Sequence, residues 1–355
     1  MRPNPHPSPL TSRPALVVDI GTSWTKLALA GGWVEPGCVD RLATIRSDHA
    51  RDHDGADTDD PVDSGDDEDG DAVATGAPVR REAAQRWESA LVEALATRDL
   101  TLEDVEQIAV ASVSPSATAA LGALGDTRRG APGVRFVSAE TAPLGIDYHP
   151  RRRLGADRIA DAVGALAQWG APVVVVDVGT AVTCDVVSST GRFLGGAIAP
   201  GPLTGQRALI DRAPHLGPVD PLPAAGADTP ALGTSTACCL RVGLVRGAAG
   251  LVDGLVRGSL ALVGPCTVVA TGGLAPIVAA HSETITDVDL DLTLRGIHLS
   301  AGGSSRHEVP PWGGRGNGYR MRNSSPQARR CGTCCLGTRI SRVSRQLGRR
   351  QGGRD

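Results

Sequence analysis

The spacing of apolar positions changes repeatedly along the chain, and each change predicts an element. Leu16–Asp19 and Thr25–Ala30 are short runs rich in large apolar residues on either side of Gly21, so they read as the arms of a hairpin. Between Arg81 and Arg98, Trp87, Leu91 and Leu95 recur every fourth residue, which predicts an amphipathic helix. Gln107–Val113 reads as a buried strand that stops at a Ser-Val-Ser-Pro break. A helix is expected over Arg158–Trp169, a second buried strand over Val173–Asp177, and a long helix of small residues over Thr236–Gly258. Thr267–Ala270 reads as a strand closed by Thr-Gly-Gly. The stretch Leu260–Ala280 carries no charge over 21 residues, but Gly264, Pro265, Gly272, Gly273 and Pro276 interrupt it. It therefore reads as strand, glycine turn and helix start, and not as a membrane span. Strands alternating with helices predict layered α/β architecture, with each Asp-x-Gly turn at the edge of a sheet.

Charge sharpens the domain picture. A length of 355 residues leaves room for two ordinary domains. The formal net charge of −3 conceals two opposed blocks. Asp48–Asp71 holds twelve acidic residues and one arginine, whereas Ser304–Asp355 holds twelve arginines against Glu308 and Asp355. Both blocks lack the large apolar residues that would offset the entropy of ordering, so both are expected to be solvated and disordered. The acidic block has no EF-hand ligand spacing, and Cys331–Cys335 lacks a second cysteine pair or histidines at zinc spacing. The remaining body is close to neutral, so no nucleic-acid partner and no membrane association are expected. The opening residues are polar and Pro-rich, without the apolar core of a secretory leader; with eight scattered cysteines this predicts a cytoplasmic protein with reduced thiols.

Candidate chemistry comes from a repeat. Asp-x-Gly-Thr-x-x-Thr occurs twice, with Asp19, Gly21, Thr22 and Thr25 matching Asp177, Gly179, Thr180 and Thr183. Glycine directly after a strand lets the backbone approach a phosphate, and the following amides and hydroxyls can donate to its oxygens. The strand-end aspartate can hold a metal ion directly or through water. Two such turns facing across a cleft would grip a polyphosphate from both sides. Lys26 adds to this, because it is the only lysine among 36 basic residues. A chain that otherwise uses arginine for positive charge has kept a compact ammonium just after the first turn, as a phosphate site requires. Neither of the alternative glycine-rich phosphate loops, Gly-x4-Gly-Lys-[Ser/Thr] or Gly-x-Gly-x-x-Gly, stands between a strand and a helix.

These features resemble the superfamily of sugar kinases, heat-shock chaperones and actin. A closer similarity is to type III pantothenate kinases. Asp19–Lys26 resembles their nucleotide motif, Leu154–Arg158 with Tyr148 upstream resembles their substrate motif, and Asp177–Asp185 their second phosphate motif. Gly191–Gly201, Gly233–Gly243, Ala270–Gly273 and Leu292–Leu299 follow in the family's order, the last as a strand-to-helix end. The similarity covers about residues 16–299.

The resemblance implies two similar actin-like, ribonuclease H-like α/β halves with a nucleotide cleft between them. It divides the chain into a disordered N-terminus at 1–15, a first half at 16–145 with the acidic insertion at about 48–75, a second half at 146–303, and a basic tail at 304–355. It implies ATP-dependent phosphorylation of the 4′-hydroxyl of pantothenate, the first step of coenzyme A biosynthesis, by a homodimer. Asp157 would be the base that takes the hydroxyl proton. Asp19, Ile20, Gly21, Thr22, Ser23, Trp24, Thr25 and Lys26 would bind ATP together with Thr180. Tyr148, Gly155, Ala156, Asp157, Arg158 and Thr236 would form the pantothenate pocket. Asp19 would organise Mg²⁺, and Asp177 would bind a monovalent cation, K⁺ or NH₄⁺. Thr22 stands where the family usually has asparagine, Cys238 where it often has an acidic residue, and Arg151 where proline is common. Two other readings remain open at this level: a non-catalytic nucleotide-binding regulator of the same fold, and a kinase of another small alcohol.

Overall fold

The computed structural model describes residues 13–32, 34, 38–47, 77–127, 132–220 and 229–302. The expected disorder of the N-terminus, acidic insertion and basic tail falls outside the described residues. All described residues belong to one structural unit, Met1–Arg320.

The first half is a five-stranded sheet. Strands β1 (Ala15–Ile20), β2 (Trp24–Ala30) and β3 (Val39–Arg46) form an antiparallel meander, and β4 (Gln107–Ser112) and β5 (Gly133–Phe136) continue it in parallel, in the order β3-β2-β1-β4-β5. Helices α1 (Ala77–Ala96) and α2 (Pro115–Thr127) connect its strands. The second half repeats the plan. Strands β7 (Val173–Val178), β8 (Ala181–Val187) and β9 (Arg192–Pro200) are antiparallel, while β10 (Thr267–Thr271) and β11 (Asp287–Val288) run parallel to β7. The sheet order is β11-β10-β7-β8-β9, with the two-residue β6 (Gly145–Ile146) added beyond β9. The same strand order with the same orientations, built twice, is the expected pair of ribonuclease H-like halves.

Period-two alternation decides which side of each strand meets which helix. Leu16, Val18 and Ile20 pack with Trp87, Leu91, Leu95 and Leu121, so α1 and α2 cover the outer face of the first sheet. Val17 and Ala109 face the other way and join Val173, Val175 and Val269 of the second sheet in one central core. Two helices supply the filling of that core, α3 (Ala156–Trp169) and α7 (Leu292–Ser300). On the far face, Val174, Val176 and Val268 pack against Val252 and Val256 of α5 (Thr236–Val263) and Val278 of α6 (Ala275–Ala279). Helix α4 (Pro202–Arg212) follows β9 and contacts α5.

The two central helices touch backbone to backbone. A methyl group added at Gly296 would overlap the carbonyl of Ala160, and one at Gly164 would lie 2.8 Å from the carbonyl oxygen of Leu292. Only glycine fits at this crossing, since interiors are close-packed and the obstacle is main chain.

Two sequence readings differ from the structure. The long helix continues five residues past Gly258 to Val263, where Gly264 at φ 80° ends it. Leu292–Leu299 is helical throughout, with Leu292, Leu294 and Ile297 buried, and not a strand leading into a helix.

Candidate active site

The repeated motifs fold into the β1–β2 and β7–β8 hairpin turns. In the first, Gly21 N–H donates to the Trp24 carbonyl at 3.0 Å; in the second, Gly179 N–H donates to the Ala181 carbonyl at 2.9 Å. The turns come from different sheets yet meet. Ser23 Oγ and Thr180 Oγ1 are hydrogen-bonded at 3.0 Å. Thr22 and Thr180 are exposed and Ser23 is partly exposed, so this junction presents amides and hydroxyls to solvent. Ile20 differs, because its side chain is buried in the outer core and only its backbone faces the turn. Thr25 is buried as well; its hydroxyl pairs with Ser47 Oγ at 3.1 Å.

Inward of the first turn, Lys26 and Asp19 are opposite each other in the β1–β2 register. Lys26 Nζ donates to Asp19 Oδ2 at 3.1 Å. Burial works to lower the lysine's pKa, but the charges of Asp19 and Asp177 outweigh it and hold the ammonium above its ordinary value.

Asp177 ends the interior part of β7. Burial raises its carboxyl to about 7; Lys26 opposes the rise, while Asp157, Asp19 and Asp185 add to it. Its Oδ1 is sealed from solvent without a hydrogen-bond partner. Gly272 of the Thr-Gly-Gly turn lies against that oxygen at φ +91°, and any side chain there would displace the carboxylate. Leu274 N–H, two residues on, donates to the Val178 carbonyl at 3.1 Å, which fixes this turn beside the β7–β8 turn.

Asp157 sits in the first turn of α3, after Gly155 at the helix start. Its Oδ1 accepts from the Arg158 N–H at 2.8 Å. Burial raises its pKa, the Arg158 amide partly reverses this, and the nearby charge of Asp19 raises it again; the net shift is upward. Arg158 is buried and committed to Asp185 of β8, with Nε 3.0 Å from Oδ1 and 3.1 Å from Oδ2. Its guanidinium also stacks 5.5 Å from the Tyr148 ring centroid and 5.6 Å from that of Phe193. Tyr148 meets Phe193 edge-on at 6.2 Å. The end of the Leu154–Arg158 motif is thus a salt-bridged arginine packed against two aromatic rings.

Two carboxylates escaped the reading of the motifs. Asp185 is fully buried as the partner of Arg158. Asp161 lies one helical turn after Asp157 and is also buried, with one oxygen unpartnered and a hydrogen bond to Thr293 of α7. Burial and the charges of Asp177, Asp157 and Asp19 push its carboxyl well above the usual range. The i, i+4 spacing of Asp157 and Asp161 was the available signal. Thr236 stands apart: it is exposed in the first turn of α5, and no hydrogen bond among the described residues links it to the rest. Among the described residues no three His, Cys, Asp or Glu side chains are grouped to hold a metal ion by themselves.

This arrangement can bind a polyphosphate between two turns and place a carboxylate of raised pKa beneath it. The family model of type III pantothenate kinases matches residues 68–258. The chain belongs to the type III pantothenate kinase family. A type III pantothenate kinase of Roseiflexus castenholzii is 44% identical over 167 residues, which cover 46% of this chain and 64% of the relative. One from Rhodospirillum centenum is 35% identical over 221 residues, 59% of this chain and 81% of the relative. The chain spans less than two thirds of the length of several relatives, including 59% of that of Anaeromyxobacter dehalogenans. Among solved structures, the inorganic polyphosphate/ATP-glucomannokinase of Arthrobacter sp. strain KM is similar over 82% of this chain and 99% of its own, with TM-score 0.41 and 16% identity.

Proposed function

We propose that this type III pantothenate kinase family member transfers the γ-phosphoryl group of ATP to the 4′-hydroxyl of pantothenate. The Ser23–Thr180 contact carries the reading, because it joins two phosphate-binding turns from separate sheets over one set of carboxylates. In this mechanism the amides and hydroxyls of Gly21–Ser23 and Thr180 orient the phosphate chain, and Lys26 neutralises charge that develops on the transferred group. Asp157 accepts the proton as the hydroxyl oxygen attacks the γ-phosphorus. Its raised pKa brings it nearer to the working pH, where a general base is most effective. Arg158, Tyr148, Gly155 and Ala156 shape the acceptor pocket, with Asp185 fixing the arginine. Thr236 joins this pocket through the assembly described below.

The buried Asp177 Oδ1 without a partner suits a hard monovalent cation, K⁺ or NH₄⁺, and Asp19 keeps one oxygen beyond its bond to Lys26 for organising Mg²⁺. When bound, these cations would supply charge neutralisation around the phosphates. The active species is proposed to be a cytoplasmic homodimer. Gly247, Gly250, Gly254 and Gly258 of α5 face open space, so a partner helix could approach closely along this side. Among the described residues no helix is long and apolar enough to cross a membrane.

The test is a coupled ATPase assay with pantothenate against a panel of sugars, repeated with Na⁺ in place of K⁺. Turnover only with a sugar would refute the substrate, and full turnover in Na⁺ would refute the cation. Sedimentation of the active enzyme as a monomer would refute the dimer.

A further inference from the structure

We propose that Arg46, at the end of β3, is an additional contact for the phosphate chain of the nucleotide, and that Trp24 positions it. The inference rests on the ATP-binding reading above. In the register of β2 and β3, Trp24 lies opposite Arg46 and Lys26 opposite Thr44. Residues two apart on a strand, and residues directly opposite each other on neighbouring strands, share a face of the sheet. Lys26 is paired with Asp19, and Ala28 belongs to the central core, so their face is the one turned toward the second half. Trp24 and Arg46 therefore stand on the cleft side of the first sheet. Along β2 they lie roughly 7 Å outward of Lys26, at about 3.3 Å per residue. Ser23, which touches Thr180, is the neighbour of Trp24 in sequence.

The pair is also fixed in place. Arg46 Cζ lies 5.1 Å from the Trp24 ring centroid, within cation–π range, although the tryptophan is 48% exposed. The next residue ties this end of β3 to the phosphate turn. Ser47 N–H donates to the Ser23 carbonyl at 3.1 Å, and Ser47 Oγ donates to the Gly21 carbonyl at 2.8 Å. Arg46 thus moves with the turn that would hold phosphate. Stacking on indole uses the flat face of a guanidinium, whereas phosphate is bound by its N–H edge. The two interactions are compatible, and the first orients the group for the second.

Calorimetric titration with ATP, ADP and adenosine, without pantothenate, tests this in wild type, Arg46→Gln, Arg46→Lys, Trp24→Leu and the Trp24→Leu/Arg46→Gln double variant. Arg46→Gln should weaken ATP and ADP by ~10-fold or more, the usual scale for a hydrogen bond to a charged group, and leave adenosine unchanged. KM for pantothenate and the melting temperature should stay near wild type. Arg46→Lys should recover part of the affinity. Trp24→Leu should cost less than Arg46→Gln, and its effect should vanish in the double variant, since it acts through the arginine. Wild-type ATP affinity in Arg46→Gln, or an equal loss for adenosine, overturns the proposal. Absence of ATP binding in the wild type would instead overturn the ATP-binding reading, and this inference with it.

Discussion

Ser23 Oγ and Thr180 Oγ1 lie 3.0 Å apart although 157 residues separate them in sequence. Each hydroxyl belongs to a hairpin turn of a different sheet, so the contact marks where the two halves meet over the proposed phosphate site. Ser23→Ala and Thr180→Ala should each raise KM for ATP by about 10-fold, as expected for loss of a hydrogen bond to a charged ligand. Because the two side chains touch, the double variant should lose less than the product of the single effects. Steady-state kinetics of the four proteins measures this, and strict additivity would contradict it.

Lys26 is held by Asp19 and feels Asp177. Lys26→Arg keeps the charge but puts a planar head where a compact ammonium fits, so ATP use should fall by about 10-fold or more. Lys26→Met should also move the Asp177 carboxyl above about 7, because the lysine is the group that lowers it. Carboxyl chemical shifts followed through a pH titration would report the second effect.

Asp157→Asn keeps size and most hydrogen bonding but removes the basic lone pair. The variant should lose ~10²–10⁴-fold in kcat, the usual contribution of a general base. Nucleotide Kd should change little, because the residue is proposed to face the acceptor and not the nucleotide. Near-normal kcat would remove Asp157 from the base role, whereas a wild type that binds ATP without ever turning over would favour a regulator.

Asp161 makes a stability prediction. Its folded-state pKa is raised, first by burial and then by neighbouring carboxylates. A raised carboxyl binds its proton more tightly in the native state, so its contribution is favourable at low pH and is lost as pH climbs above the ordinary carboxylate range. Asp161→Asn does not titrate. Its melting temperature should therefore exceed that of wild type by a margin that widens as pH climbs above the ordinary carboxylate range. A margin that shrinks with pH would reverse the assignment.

Gly296→Ala should destabilise the fold by about 3 kcal/mol, the upper end for overpacking, because the new methyl meets the Ala160 carbonyl and not a movable side chain. Ala160 lies between Asp157 and Asp161, so surviving folded protein should also lose kcat. Chemical denaturation and kinetics on the same preparation separate the two effects.

The sequence made the central strands visible because β1, β4, β7 and β10 are covered on both faces and read as unbroken apolar runs. Peripheral elements were not legible. Strand β3, VDRLATIR, has exposed charged positions, and α2, PSATAALGALGDT, is made of small residues with little contrast between its faces. The glycine crossing of α3 and α7 was hidden for a different reason, since it depends on which helices the topology brings together. The site was half legible. Repetition exposed the two turns, and composition singled out Lys26. Asp161 and Asp185 acquire meaning only when folding removes water from them and sets them beside other charges. Arg46 lies in an unremarkable strand, and only register places it beside Trp24.

The glycine seam between α3 and α7 has a mechanical consequence. Helix α3 carries Asp157, Arg158 and Asp161, while α7 rests on β1 and β2, the strands joined by the Gly21–Ser23 turn. The seam is a close main-chain approach clamped by side chains, with Asp161 of α3 hydrogen-bonded to Thr293 of α7 and Arg295 of α7 donating to Gln168 Oε1 of α3 at 3.1 Å. Any displacement of α7 with β1 and β2 would therefore be passed through this seam to α3, and Asp157, the proposed base, would travel with it.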